Sequence, residues 1–302
     1  MPEGAPAFIM RGGYVLPHDG KEEEAMSQRE IEISRQGHVG RIAIVRPETM
    51  NALRSTTFEA LRAAIADFAA DGNIRALMLT GTGRAFCAGA DLSDPMMGGH
   101  LPRQERPAAC AETLGGLMNA LIRDLRNAPF PTIAAVNGVA AGGGVGLALT
   151  ADIVLAAQSA RFILSFTPKL GLVPDLGSTW HLARHLGRGR AMGMMLTGEP
   201  LEAERAAKAG LIWKAVADDA LEAEAMALAG RLAAGPTAGQ VRARRLLDGA
   251  FANDFDRQLD AERDAQASLV AGDEVIEAMS AFAEKRKPNF AAIPRTQAKD
   301  GA

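Results

Sequence analysis

The chain has 302 residues, 48% of them apolar and 23% charged, with a formal net charge of −3. That is enough apolar material for one large domain or two modest ones, and it leaves no positive field to attract nucleic acid or an anionic membrane surface. Two cysteines, Cys87 and Cys110, are too few for a disulfide framework and fit a reducing cytoplasm.

Residues 1–28 are rich in Gly, Pro and Glu and read as an extension expected to be partly disordered. Their apolar patch, AFIM, is too short for a signal peptide. Residues 41–45 (RIAIV) and 75–80 (RALMLT) are short β-rich runs. Between them Phe58, Leu61, Ile65 and Phe68 share one helical face, with Thr56 and Glu59 spaced as a capping box. The segment PMMGGHLPRQERP (95–107) is Gly- and Pro-rich and is expected to be mobile. A helix over 111–126 follows, with Leu114, Leu117, Leu121 and Leu125 in register.

The stretch 127–151 carries no charge and is long enough to span a bilayer, but Pro129, Pro131, Asn137 and five glycines break it into strand, turn and buried helix. PTIAAV (131–136) and DIVLA (152–156) are buried strands. Residues 201–209 form a short helix with Gly210 as its C′ residue, and 211–216 is the last strand. From about residue 218 the chain is helical, broken at Gly235-Pro236. Alternating strands and helices predict an α/β core with parallel pairing over 29–235 and a helical appendage over 236–302.

Two glycine-bearing loops carry the chemistry. TGTGRAFCAGADL (80–92) follows one strand. NGVAAGGGVGLALTADI (137–153) follows another and enters a helix at Gly142-Gly143-Gly144. Glycine is costly inside a helix, so each loop is open to two readings. Either strand and helix cross tightly, or bare N–H groups at a helix start are left open to a ligand oxygen. The spacing is neither G-x-G-x-x-G nor a Walker A pattern, which disfavours nucleotide binding.

With GRAFCAGADL, NGVAAGGGVGLALTADI, PETMNAL (47–53), FTPKLGLVPDLGSTWHLARHLG (166–187) and AFAEKRKPNF (281–290) in one order, the chain resembles the enoyl-CoA hydratase/isomerase (crotonase) superfamily. The resemblance implies a crotonase-like spiral of ββα/βαβ units with a C-terminal helical trimerisation region, hence a homo-trimer or dimer of trimers. It implies an acyl-CoA substrate, with coenzyme A carried by that substrate and no separate cofactor or metal. The backbone N–H groups of Ala90 and Gly143 would grip the thioester oxygen. The glutamates of the family's hydratases would fall at Gly146 and Thr167, neither acidic here. Asp175 matches the catalytic carboxylate of the family's isomerases, and the surroundings resemble bacterial ring-epoxide and enoyl-CoA isomerases. Ala52, Ala88, Asp91 and Leu92 would line the CoA path, with Gly142 and Phe166 at the acyl end. Arg54 would meet phosphate, and Phe282 and Lys285 would lie near the CoA nucleotide of a neighbouring subunit.

Isomerisation of an unsaturated acyl-CoA is therefore the expected reaction, with hydration by a non-standard water site as the alternative. A non-catalytic acyl-CoA binder or RNA-binding relative is the different-class alternative. Several residues have plainer readings. Asp175 sits where a helix N-cap would, and Asp91 suits a cap or turn. Cys87 suits core packing rather than nucleophilic attack. His181 and His185 have metal-compatible spacing but read as surface or interface histidines. Arg242, Arg244 and Arg245 read as a solvated face. Phe162, Phe166, Leu170 and Met192 to Met195 are candidate walls around Asp175.

Overall fold

A computed structural model describes residues 30–295, so the expectation for 1–28 lies outside the described residues. The β-rich run at 41–45 becomes strand β2 (Val39–Ile44), which pairs antiparallel through a turn at Gly37 with a strand the sequence reading did not mark, β1 (Ile31–Gln36). Helix α1 (Ser55–Ala70) packs Phe58, Leu61, Ile65 and Phe68 inward, as their spacing requires. Its start differs from the Thr56/Glu59 expectation. The N-cap residue is Arg54, whose N–H donates to Thr57 Oγ1 at 3.1 Å. The Thr56 and Thr57 hydroxyls are instead drawn to the Glu30 carboxylate, far away in sequence.

Strand β3 (Ala76–Gly81) leads into β4 (Ala85–Cys87). The 95–107 segment is folded: Asp94 Oδ1 accepts from Met96 N at 2.9 Å, and Arg106 donates to Leu101 O and Gly99 O. Residues 106–126 form one run, but not one regular helix. Helix α2 (Arg106–Glu112) passes through a π-helical stretch, Thr113–Met118, into α3 (Asn119–Arg126). The Leu114/Leu117/Leu121/Leu125 register therefore breaks: Leu121 and Leu125 are buried, whereas Leu114 and Leu117 are only half-buried.

Strand β5 (Thr132–Val136) is followed by β6 (Val139–Ala141), helix α4 (Gly143–Thr150), β7 (Ile153–Ala157) and β8 (Arg161–Ile163). Helix α5 (Ser178–Thr197) is kinked at Gly187, where φ is +69°. Then come β9 (Leu201–Glu202), α6 (Ala203–Lys208) and β10 (Lys214–Val216), with Gly210 at φ +82° closing α6. Four α-helices follow, α7 (Leu221–Ala233), α8 (Thr237–Ala250), α9 (Phe255–Leu269) and α10 (Asp273–Ala283), and a 3-10 turn at Phe290–Ala292 comes after them.

Two sheets organise these elements. The larger runs β1-β2-β3-β5-β7-β10, parallel from β2 onward. The smaller runs β4-β6-β8-β9, parallel until its last pair. Each crossover between the sheets passes a strand end, which is where the glycine-bearing loops sit. Among the described residues no helix is long and apolar enough to cross a membrane. Every residue of α4 is buried.

Two asparagines pin the loop between β3 and β4. Asn51 is fully buried: its Oδ1 accepts from Arg46 N at 2.8 Å, and its Nδ2 donates to Thr82 O and Ala85 O at 2.9 and 2.7 Å. Asn137 accepts from Gly81 N and donates to Gly83 O and Ala85 O. Arg244 departs from the solvated-face reading. Its guanidinium pairs with Asp152 at 3.1 Å and donates to Ala128 O and Phe130 O, tying α8 to the start of β5 and β7. Replacing Asn51 with Ala orphans the Arg46 N–H and the Thr82 carbonyl, while Ala85 O keeps its bond from Asn137, so Asn51→Ala is expected to lose about 2–3 kcal/mol. A drop in the urea unfolding midpoint at unchanged m-value would report it.

Candidate active site

The β4–α1 crossing and the start of α4 meet at two unpaired amides. Leu53 and Ala90 form an isolated parallel bridge, in which Leu53 N donates to Gly89 O and Asp91 N donates to Leu53 O, both at 2.8 Å. Those bonds use the groups flanking Ala90, so Ala90's own N–H faces the other way. It meets no acceptor among the described residues. Gly143 opens α4, where a helix has no internal partner for its first N–H groups, and its N–H is equally free among the described residues.

The two loops are in contact. A Cβ placed on Gly89 would lie 2.9 Å from Gly143 N. Gly89 takes φ +91° and Gly142 φ +53°, backbone shapes that L side chains rarely adopt. Close approach explains the next glycine: a Cβ on Gly144 would meet Cys87 O at 2.1 Å. Cys87 itself is buried and its thiol is pushed up to about 12 by burial, which leaves it packed and inert.

Asp175 stands over this helix start. A Cβ on Gly143 would lie 3.3 Å from Asp175 Oδ1 and 2.8 Å from Leu176 Cδ1. Asp175 is not the N-cap that its sequence position suggested. Gly177, at φ +77°, is the N-cap residue of α5, and Asp175 contributes only its carbonyl, accepting from Ser178 N at 2.9 Å. Its Oδ1 is buried with no hydrogen-bond partner among the described residues. Burial pushes the carboxyl up to about 6. Leu176, at φ +50°, holds the turn by laying its side chain over Gly143.

Gly146 has no space for a side chain. A Cβ there would meet Leu176 O at 2.4 Å and Ser178 Oγ at 2.9 Å. Thr167 is a half-buried residue whose hydroxyl donates to Leu172 O at 3.0 Å. Neither hydratase position offers an acid.

The remaining sequence candidates divide. Phe166 packs within 3.6 Å of the place a Gly142 Cβ would take, so Gly142 and Phe166 border the amides. Ala88 donates its N–H to Met50 O, and its carbonyl lies 3.5 Å from the same Gly142 position. Ala52 is buried, with its carbonyl held by the Arg46 guanidinium. Asp91 is a turn residue: one oxygen takes the Ser93 N–H and hydroxyl, the other takes Arg46 at 3.0 Å. Leu92 is exposed.

Arg54 is paired with Glu30 rather than free for a phosphate. Phe282, 87% exposed, borders a cleft of about 810 Å³ between α8, α10 and residues 290–295, whose lining includes none of Ala90, Gly143 or Asp175. Lys285 follows α10 at φ +55°. Of the candidate walls, Phe162 is in the core, Leu170 is exposed, and Met194 borders a different cleft beside Arg190 and Arg205.

His181 corrects the surface reading. It is buried, its ring stacks on His185 at 6.0 Å and meets Trp180 edge-on, and burial pushes it down to about 4. No group of three or more potential metal ligands occurs among the described residues. Sequence reasoning passed over Ser178, a fully buried residue whose hydroxyl has no partner among the described residues. A serine between Gly177 and Thr179 looks like ordinary helix-start chemistry, and only the approach of Gly146 sets it apart.

An α/β fold with two free amides at a glycine-opened helix and a desolvated carboxyl above them defines a site built to hold a carbonyl oxygen beside an acid–base group. The enoyl-CoA hydratase/isomerase family model matches residues 34–293, and the chain belongs to that family. It is 43% identical over 253 residues to the 1,2-epoxyphenylacetyl-CoA isomerase of Escherichia coli, covering 82% of this chain and 93% of that one. A protein of Rhodobacter capsulatus named probable enoyl-CoA hydratase is 42% identical over 249 residues, covering 82% of this chain and 93% of its own. The crystal structure of an enoyl-CoA hydratase from Polaromonas superposes with a TM-score of 0.79 at 33% identity, covering 85% of this chain and 98% of that one. The crotonase fold expected from the motifs is thus the fold observed.

Two outcomes follow from the packing at this site. Gly146→Ala drives a methyl into the Leu176 carbonyl and is expected to cost about 1–3 kcal/mol, read as a lowered melting temperature. Asp175 has a raised folded-state pKa, about 6 against 3.8. Its contribution to stability is therefore full below pH 3.8 and lost as pH rises through about 6. Asp175→Asn removes that loss, so the variant is expected to be more stable than the parent by about 1–3 kcal/mol above neutral pH and equal to it at low pH. Paired urea titrations at the two pH extremes test this.

Proposed function

We propose that this chain isomerises an unsaturated acyl-CoA, with the amides of Ala90 and Gly143 holding the thioester oxygen and Asp175 moving the proton. The observation that carries the reading is the half-buried Asp175, whose carboxyl oxygen Oδ1 is buried, without a partner among the described residues and beside Gly143, with no second acid at Gly146 or Thr167. The Asp175 carboxylate takes a proton from a carbon next to the thioester or conjugated with it. The electron pair moves onto the carbonyl oxygen, giving an enolate held by the two N–H groups. The resulting carboxylic acid returns the same proton to a different carbon, so composition is unchanged and no cofactor is needed.

Ala52, Ala88 and Leu92 would border the CoA path, and Gly142 and Phe166 the acyl end. Hydration is the weaker reading. It needs a second group to hold and deprotonate water, and the Leu176 carbonyl fills the space that a side chain at 146 would need. The Escherichia coli relative's name extends the proposed substrate class to ring-epoxide thioesters. Exposed Phe251, Phe255, Leu259, Met279 and Phe282 on and around α8 to α10 support assembly as a trimer or dimer of trimers through the C-terminal helices.

A panel of enoyl-CoAs with the double bond at either position, together with a ring-epoxide thioester, should be scored separately for bond migration and water addition. Isomerisation is expected to dominate, with turnover rising on an acid limb centred near pH 6 as Asp175 ionises. Asp175→Asn is expected to lower turnover roughly 10²–10⁴-fold while acyl-CoA binding persists. Turnover within a few-fold of the parent, or water addition as the main product, overturns the reading.

A further inference from the structure

Arg46, on the loop between β2 and α1, is a charged residue left only 7% exposed, and the proposed chemistry gives it no role. Its guanidinium donates to Ala52 O, donates to Asp91 Oδ2 at 3.0 Å, and lies 3.9 Å from Glu30 Oε1. Its backbone is pinned as well: Arg46 N donates to Asn51 Oδ1, and Arg46 O accepts from Asn51 N, both at 2.8 Å. The loop so held takes left-handed backbone at two consecutive non-glycine residues, Met50 at φ +56° and Asn51 at φ +58°. Such conformations persist where the surrounding structure over-determines them, and they gather at functional sites.

Peptide planarity connects this guanidinium to the site. In a trans peptide the C=O and the N–H point in opposite directions, and no peptide bond among the described residues is cis. Holding Ala52 O therefore also sets the direction of the Leu53 N–H, which belongs to the same peptide. Leu53 N donates to Gly89 O at 2.8 Å. Gly89 O belongs in turn to the peptide that carries the Ala90 N–H, so that N–H is aimed away from the bond. Asp91 N closes the other side by donating to Leu53 O at 2.8 Å, while the Asp91 carboxylate accepts from the same guanidinium. Arg46 thus grips both strands of the Leu53–Ala90 bridge.

We propose that Arg46 is a positioning residue for the Ala90 amide, acting through two successive peptide groups, an assignment that rests on the reading of Ala90 as an oxyanion donor. One contact has two effects. The first is direction: a donor aimed in advance stabilises developing charge without reorganising as the reaction proceeds. The second is polarisation: a cation on Ala52 O strengthens the hydrogen bond that follows it, because bonds in a chain polarise one another in a dry interior. The Ala90 N–H at the end of that chain becomes a better donor. Gly143 takes its direction from the start of α4 instead, so Arg46 acts on one of the two amides only.

The test is isotope-edited infrared spectroscopy of a saturated acyl-CoA, labelled with carbon-13 at the thioester carbonyl and bound to the full chain. A saturated acyl chain has no double bond to migrate, so the carbonyl reports its hydrogen bonds without turnover. The parent is expected to lower the carbonyl stretch on binding. Arg46→Met is expected to lose about half of that displacement, since one of two donors is misaimed. Arg46→Lys, which keeps the charge but not the fork, should lose a smaller part. In turnover assays kcat is expected to fall roughly 10–100-fold in Arg46→Met, with KM within a few-fold of the parent. An arginine that only stabilises the loop would shift the unfolding midpoint and leave the bound carbonyl at the parent frequency. That outcome in Arg46→Met overturns the proposal, and if Arg46→Met does not fold, an unmoved carbonyl in Arg46→Lys does so alone. A parent that leaves the carbonyl undisplaced overturns the reading of the amides themselves, whereas a displaced parent with unmoved variants overturns only the role of Arg46.

Discussion

Helix α4 is buried along its whole length, yet its first N–H groups cannot be satisfied within it. That one constraint organises the region. A buried N–H without a partner costs free energy comparable to a lost hydrogen bond. The chain tolerates it here because rigid structure over-determines the position: Asn51 and Asn137 clamp the 81–85 loop, Cys87 O presses on Gly144, and Leu176 covers Gly143. Leu176 accepts a left-handed φ of +50°, which costs a non-glycine residue about 1–2 kcal/mol. The cost is offset by seating its side chain and by fixing the Asp175 carboxyl beside the helix start.

The parts legible in the sequence were those written in local pattern. The apolar face of Phe58, Leu61, Ile65 and Phe68 gave α1, and Gly210 gave the end of α6. The glycine run marked α4, because glycine is so unfavourable in a helix that its repetition needs a reason. Features set by distant partners were not legible. Strand β6 has three residues and exists through its pairing with β4 and β8. The threonines at the start of α1 looked like part of a capping box because the Glu30 carboxylate that takes them is remote in sequence. Arg244 looked solvated because Asp152 lies 92 residues away from it. The π-helical stretch at Thr113–Met118 shifts a leucine register that reads as perfectly regular.

The same distinction applies within the site. Ala90, Gly143 and Asp175 came from motif register, and their juxtaposition could not be derived from spacing. Conversely, the absence of an acid at Gly146 was plain in the sequence, but its physical meaning was not. A missing glutamate could be a substitution that any side chain might repair. The packing turns it into a prohibition, since the Leu176 carbonyl occupies the ground that the first carbon of a side chain would need. The turn that brings Asp175 to α4 is therefore the same feature that keeps a side chain at 146 out.

Charge bookkeeping explains why one carboxyl suits the proposed chemistry better than two. Asp175 is subject to opposing influences. The positive end of a helix typically favours a nearby anion by 0.3–1 kcal/mol, under about one pKa unit. Burial acts the other way and wins, since the carboxyl rises from 3.8 to about 6. It is therefore ionised at neutral pH, but only modestly favoured over its acid. When it takes a proton, the enolate gains the charge it loses, so the pocket holds one negative charge before and after transfer. The free amides of Ala90 and Gly143 would meet that charge at its destination without having to reorient. A second ionised carboxylate in the same dry space would repel the enolate throughout the transfer, and one kept neutral would need a further pKa rise that only additional burial could supply.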